Sequence, residues 1–127
     1  MDRTGRASCE PVPVPHAGGD TAHNECADKA PPNRYPGKDV IVGGVRFDAL
    51  QVGVRKLWEI KTHQFDSYNP FIRRREIETE LEQIEKEQEA AAACEYDYVI
   101  GVGTQAHKDA LLEAAPLLDV VVTGCKR

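Results

Sequence analysis

The sequence predicts an α/β domain: a mixed sheet that opens with an N-terminal antiparallel hairpin and closes with a β-α-β-α-β tail. Three observations carry this. Val40-Ile41-Val42 and Val45-Arg46-Phe47 flank Gly43-Gly44, and a Gly-Gly pair between β-branched runs marks a two-residue hairpin because both turn positions can take positive φ. Ile77, Leu81, Ile84, Gln88 and Ala91 recur at spacings of four, three, four and three, one stripe of a helix. After it, two apolar runs separated by a shorter helical pattern imply parallel strands joined by crossovers.

The chain has 127 residues, enough for one domain and too few for two. Residues 1–38 hold most of the prolines and leave room for at most one short helical turn, around Thr21 to Lys29. They are expected to form a linker that becomes an ordered extended arm, or else the cut end of a longer polypeptide, ahead of an α/β domain over residues 39–127. A third strand, Val54 to Thr62, follows the hairpin, and its period-2 alternation turns Leu57, Glu59 and Lys61 to one face and Lys56, Trp58 and Ile60 to the other. Tyr68-Asn69-Pro70 opens a helix from about Phe71 to Ala93, more than about 30 Å long. Gln88 falls on its inward stripe, while Glu78, Glu82, Glu85 and Glu89 decorate its outer faces. Tyr96 to Val102 reads as a buried strand, Gln105 to Ala115 as a helix with Ala106, Ala110, Leu111 and Ala114 inward, and Leu118 to Thr123 as the last strand.

The formal net charge of -5 speaks against a nucleic-acid partner, whose phosphates demand cations. That charge is unevenly spread. Residues 1–75 carry 12 Lys/Arg against 9 Asp/Glu, whereas residues 76–127 carry 4 against 12, so an acidic chain can still present a basic face. No apolar stretch is long enough for a membrane span, and the first twenty residues lack the apolar segment of a signal peptide. Cys9, Cys26, Cys94 and Cys125 are too few and scattered to suggest a disulfide scaffold. Cys9, His16, His23 and Cys26 leave open a zinc site, a Cys9–Cys26 disulfide, or unrelated loop residues.

The sharpest constellation is Asp48 followed eleven positions later by Glu59-Ile60-Lys61. Carboxylates on two neighbouring strands suit a hard divalent cation that keeps much of its water, with the Ile60 carbonyl as a third ligand. Lys61 shares the face of Glu59, so its ammonium can orient a water or hold a phosphate. The plain alternative is a solvent-facing cross-strand Glu–Lys pair.

The order hairpin, Asp, Glu-x-Lys strand, long helix, strand, helix, strand resembles the restriction-endonuclease-like PD-(D/E)xK superfamily. His23-Asn24-Glu25-Cys26-Ala27-Asp28, Asn33-Arg34-Tyr35-Pro36-Gly37, Phe47-Asp48-Ala49-Leu50-Gln51, Leu57-Trp58-Glu59-Ile60-Lys61-Thr62 and Val120-Val121-Val122-Thr123-Gly124-Cys125 resemble the C-terminal nuclease domains of bacterial polymorphic toxins. The resemblance implies a Mg²⁺-dependent endonuclease, Mn²⁺ serving as an alternative, that cuts DNA or else RNA. Asp48 and Glu59 would carry over as metal ligands and Lys61 as the water-orienting residue. It also implies a larger effector polypeptide upstream, secretion or delivery into the cytoplasm of a target cell, and a cognate immunity protein. The usual Pro before the first Asp is absent, Phe47 standing there, and only Glu25 or Asp28 could supply the Glu that members often carry on a first helix.

Weaker substrate-binding candidates are His63, Arg73, Arg74, Arg75 and Gln88, with Gln83 also on the long helix, Arg55 and Lys56 as phosphate clamps, and Phe65 or Tyr68 as stacking partners for a base. Two rivals of other classes are a catalytically silent nuclease-fold binding module and an interaction domain whose Glu76 to Glu89 helix is the partner surface.

Overall fold

The computed structural model describes residues 8–62 and 64–125. Its elements are β1 (Val12–Pro15), α1 (Thr21–Lys29), β2 (Lys38–Val42), β3 (Val45–Phe47), β4 (Ala49–Leu50), β5 (Lys56–Lys61), a 3-10 turn (Phe65–Ser67), α2 (Pro70–Ala93), β6 (Asp97–Val102), α3 (Gln105–Ala114) and β7 (Val120–Val122). The strands form two sheets rather than the single mixed sheet expected. One is antiparallel with order β1-β2-β3; the other is mixed with order β4-β5-β6-β7, β5, β6 and β7 running parallel. The hairpin is as read, with Val42 opposite Val45 and φ of 60° at Gly43 and 78° at Gly44. Beyond it the strand changes partners at one residue. Phe47 pairs with Val40 in the first sheet, Ala49 pairs with Trp58 in the second, and the Asp48 N–H between them donates to the Trp58 carbonyl at 3.0 Å.

Residues before β2 do not form a merely extended arm. β1 pairs with β2 along its whole length, at the sheet edge where prolines without an N–H are tolerated. α1 has nine residues, more than the one turn anticipated, because Asp20 caps it by accepting from the His23 N–H and because Cys26 and Ala27 bury against Trp58 and Ile60. The alternation of β5 places α1 on one face of the mixed sheet and α2 on the other. Trp58 and Ile60 join the α1 cluster, while Leu57 packs with Val40, Val42, Phe47 and Ala91.

Asn69 and Pro70 start α2 as expected, the Asn69 side chain accepting from the Ile72 N–H at 2.9 Å. Its buried residues are Ile77, Glu80, Ile84, Glu87 and Ala91; Gln88 is exposed, correcting its inward placement. The stripe runs through two glutamates because each has a donor beneath it. His107, fully buried on α3, lies 2.8 Å from Glu80 through Nε2, and the Tyr98 hydroxyl donates to Glu87 at 2.5 Å. Likewise α3 buries His107 and Leu111, whereas Ala114 is exposed. The final strand is shorter than anticipated, Val120–Val122.

Two disulfides, Cys9–Cys94 and Cys26–Cys125, replace both the Cys9–Cys26 pairing and the zinc site considered from sequence. Each joins the segment before β2 to a distant part of the chain, 85 and 99 positions away, so cysteines scattered in sequence are staples in space. No helix among the described residues is long and apolar enough to cross a membrane.

Closing a loop of this size restricts the unfolded chain. Replacing the Cys26–Cys125 pair by serines should lower the unfolding free energy by about 2–5 kcal/mol. Urea unfolding followed by circular dichroism measures this, and an unchanged midpoint would contradict it.

Candidate functional site

The sheet switch fixes the first functional side chain. Asp48 sits where backbone pairing passes from β3 to β4, and its Oδ2 accepts from the Ile60 N–H at 2.7 Å. Two strands are thereby locked at one carboxylate, which is 9% exposed. His23 on α1 approaches the same spot, its Nε2 3.3 Å from Asp48 Oδ2 and 3.0 Å from the Ile60 carbonyl oxygen. The Ile60 side chain enters the opposite layer with Cys26 and Ala27, as the alternation required.

Glu59 and Lys61 face α2. Gln83 joins them: its Nε2 donates to Glu59 Oε2 at 2.6 Å and to Glu87 Oε2 at 3.0 Å, and its Oε1 accepts from Lys61 Nζ at 2.8 Å. Lys61 Nζ stands 3.9 Å from Glu59 Oε2. One amide thus satisfies two carboxylates and an ammonium, which its two donors and acceptor oxygen permit.

Asp48, Glu59 and Glu87 form a row of buried acids with Glu59 in the middle. Burial pushes the Glu59 carboxyl well above the usual carboxylate range, and its neighbours Asp48 and Glu87 push it further. Burial also opposes ionisation of Asp48, but hydrogen bonds with Glu59, His23 and the Ile60 N–H, together with the His23 charge, hold it below its ordinary value. Of this pair, Glu59 is therefore the carboxyl that holds a proton more readily. His23 is pushed up to about 9, first by its hydrogen bond to Asp48, against the opposing effect of burial.

Asp48, Glu59, Lys61 and the Ile60 carbonyl are thus brought to one end of β5. The other predicted residues are not. Arg73 donates to the Tyr68 and Asp66 carbonyls and covers the Phe65 ring, some ten residues or about 15 Å along α2 from Gln83. With Arg74 it lines a separate groove of about 750 Å³ between α2 and α3; Arg75 is exposed nearby on the helix. Phe65 is buried and stacked on His107 at 4.4 Å, so it offers no face to a base. Arg55 caps the end of α2 through the Cys94 and Glu95 carbonyls, at the opposite end of β5 from Lys61. His63 lies outside the described residues. Gln88 gives way to Gln83 and Glu87. On α1, Glu25 is exposed, and Asp28 is engaged by His16 and the Gly37 N–H, leaving His23 as the group that meets Asp48.

Sequence reasoning missed Glu87, Tyr98 and the role of His23. A signal for Glu87 existed: it lies four residues, one helical turn, beyond Gln83. Among the described residues, no three His, Cys, Asp or Glu side chains gather closely enough to hold a metal ion, so a cation here would draw on main-chain oxygen and water as well.

Among the described residues these elements define a mixed α/β fold with one antiparallel sheet, one mixed sheet and three α-helices, and a polar site where the two sheets meet. The chain belongs to DUF6310, a family of unknown function whose model matches residues 1–125. No curated protein and no solved structure matches the chain.

Tyr98 tests the buried row from its Glu87 end. Burial and the charges of Glu87, Glu59 and Asp48 push its phenol far above the ordinary value of about 10. A folded pKa raised above the unfolded one stabilises fully below about pH 10, and that contribution is lost as pH rises beyond it. Tyr98→Phe should cost about 1–3 kcal/mol near neutrality, because buried Glu87 loses a donor. The gap between wild type and variant should narrow above pH 10. Denaturant unfolding at pH 7 and pH 11 checks both, and a gap that widens with pH would refute the assignment.

Proposed function

We propose that the chain is a metal-dependent nuclease of the restriction-endonuclease-like type, with DNA as its first substrate and RNA as the alternative. The observation that carries this reading is the convergence of Asp48, Glu59, Lys61 and the Ile60 carbonyl at one end of β5. The chemistry of the donor set fits a divalent cation: the acids are hard oxygen donors, and burial together with the neighbouring Asp48 and Glu87 carboxylates opposes a negative charge on Glu59 that a cation would relieve. Asp48, Glu59 and the Ile60 oxygen would hold the ion. When bound, such an ion supplies Lewis-acid stabilisation of the scissile phosphate and lowers the pKa of a water nucleophile.

The side chains of this chain do the remaining work. Lys61 orients the attacking water or the phosphate oxygen. Gln83 fixes where the Lys61 ammonium points and stops it collapsing onto Glu59 as a tight pair. Glu87, held by Tyr98 and Gln83, anchors that amide from below. The resemblance to polymorphic-toxin domains supports extending the reading to a toxin module of a larger, secreted effector, delivered into a target cell and opposed by a cognate immunity protein.

Asp48→Asn, which keeps an acceptor for the Ile60 N–H, Glu59→Gln and Lys61→Ala should each lower Mg²⁺- or Mn²⁺-dependent cleavage by at least about 10²-fold while leaving the circular dichroism spectrum unchanged. Plasmid DNA and structured RNA, incubated with each cation and with EDTA, supply the readout. Wild-type protein that cuts neither substrate with either cation would overturn the reading and leave a binding module in its place.

A further inference from the structure

α1 brings to the Asp48 site a nitrogen rather than an oxygen. Its two acids are turned elsewhere, Glu25 to solvent and Asp28 to His16 and Gly37, and His23 is the side chain that meets Asp48. The His23 Nε2 lies 3.3 Å from Asp48 Oδ2 and 3.0 Å from the Ile60 oxygen. Both contacts are hydrogen bonds of the ring N–H. The same separations are those of adjacent donors around an ion with bonds of about 2.1 Å, whose neighbouring corners lie about 3.0–3.4 Å apart.

We propose that His23 is a nitrogen donor to the cation of this site, so that the pocket made by His23, Asp48 and the Ile60 carbonyl takes a first-row transition metal in preference to Mg²⁺. The inference rests on the metal-dependent reading above and names the class of cation.

Two further features equip His23 for this. Its other ring nitrogen, Nδ1, lies 3.3 Å from Asn24 Oδ1, an acceptor that can hold the Nδ1–H and so leaves Nε2, which donates to Asp48 and Ile60, as the nitrogen that gives up its proton to an ion. A histidine ligand commonly has its remaining N–H held in this way, which fixes tautomer and ring orientation. The helix that carries it is also anchored. Asp20 caps α1 at the His23 N–H, and Cys26, one turn onward, is bonded to Cys125 and buried against the sheet. The donor is thus organised before the ion arrives. When the ion enters, the Nε2 proton leaves to solvent and the lone pair takes its place. Imidazole favours ions such as Co²⁺, Ni²⁺ and Zn²⁺ over Mg²⁺, whereas an all-oxygen set would not.

The test is isothermal titration of the metal-free, disulfide-intact full chain with Co²⁺ and with Mg²⁺, using wild type, His23→Ala, His23→Gln and Asp48→Ala. Glutamine keeps a hydrogen-bond donor for Asp48 and Ile60 but is a poor transition-metal ligand, so it separates coordination from hydrogen bonding. Wild type should bind Co²⁺ more tightly than Mg²⁺. Both His23 variants should lose about 10–100-fold in Co²⁺ affinity with less than about 3-fold change for Mg²⁺. Asp48→Ala should weaken both ions.

A second measurement needs no variant: Zn²⁺ added to wild type should shift the ¹⁵N resonance of the His23 Nε2 far more than that of Nδ1. The inference is overturned, with the metal-dependent reading intact, if the His23 variants bind Co²⁺ as wild type does while Asp48→Ala does not. It is equally overturned if they lose Co²⁺ and Mg²⁺ in the same proportion, or if the His23 resonances do not move. Wild type that binds no cation and cuts no nucleic acid overturns both.

Discussion

The structure turns on one hydrogen bond, from the Ile60 N–H to the Asp48 carboxylate. At Asp48 the chain leaves the antiparallel sheet and joins the mixed one, and a strand that changes partners leaves groups that neither ladder satisfies. The Asp48 main-chain N–H finds the Trp58 carbonyl, and its side chain takes the Ile60 N–H two residues further along β5. A buried carboxylate is expensive unless it is hydrogen-bonded and charge-compensated. Here it braces the junction of the sheets, and His23 supplies the compensation from the far helix.

Once Asp48 is fixed, the neighbours are constrained in sequence. Glu59 must share its proton relation with Asp48, so it needs a neutral donor on its other side, and Gln83 provides one while also receiving Lys61. Gln83 in turn would be free to flip without Glu87, and Glu87 without Tyr98 would be a buried carboxylate short of partners. The network therefore runs from α1 through the junction of β3 and β4, β5 and α2 to β6, and every layer of the mixed sheet contributes to it. A second buried pair, His107 with Glu80, closes the other end of the α2 face in the same manner, under the Phe65 ring.

Much of this was legible in the sequence, for physical reasons. Gly43-Gly44 dictated its hairpin because few other residues take positive φ at both positions. The alternation in Leu57 to Lys61 dictated which side chains share a face, and so placed Glu59 and Lys61 with α2 and Ile60 with α1. Asn69-Pro70 dictated a helix start. What stayed hidden depended on partners distant in sequence. Four cysteines allow three pairings, and only the fold brings Cys26 beside Cys125. The proline-rich VPVP segment becomes a strand only because β2 offers it an edge. Gln88 fits an apolar stripe as well as Glu87 does until Tyr98 appears beneath the latter.

α2 shows why residue type alone misleads about charge. Its glutamates look like one solvated run, yet Glu78, Glu82, Glu85 and Glu89 are exposed whereas Glu80 and Glu87 are nearly inaccessible, at 2% and 3%. The two groups obey different rules. Exposed acids interact through water, are screened by salt and can be exchanged at little cost. The buried ones hold His107 in place and set the Gln83 amide, so neutralising them disturbs the core and the site together. A surface role for this helix, as a face for a basic partner, therefore concerns Glu78, Glu82, Glu85 and Glu89 rather than all seven of its glutamates. The chain's acidity is then compatible with an anionic substrate, because part of it lies inside the protein, paired with His107, Tyr98 and Gln83, and much of the rest lies on the side of α2 turned away from Lys61.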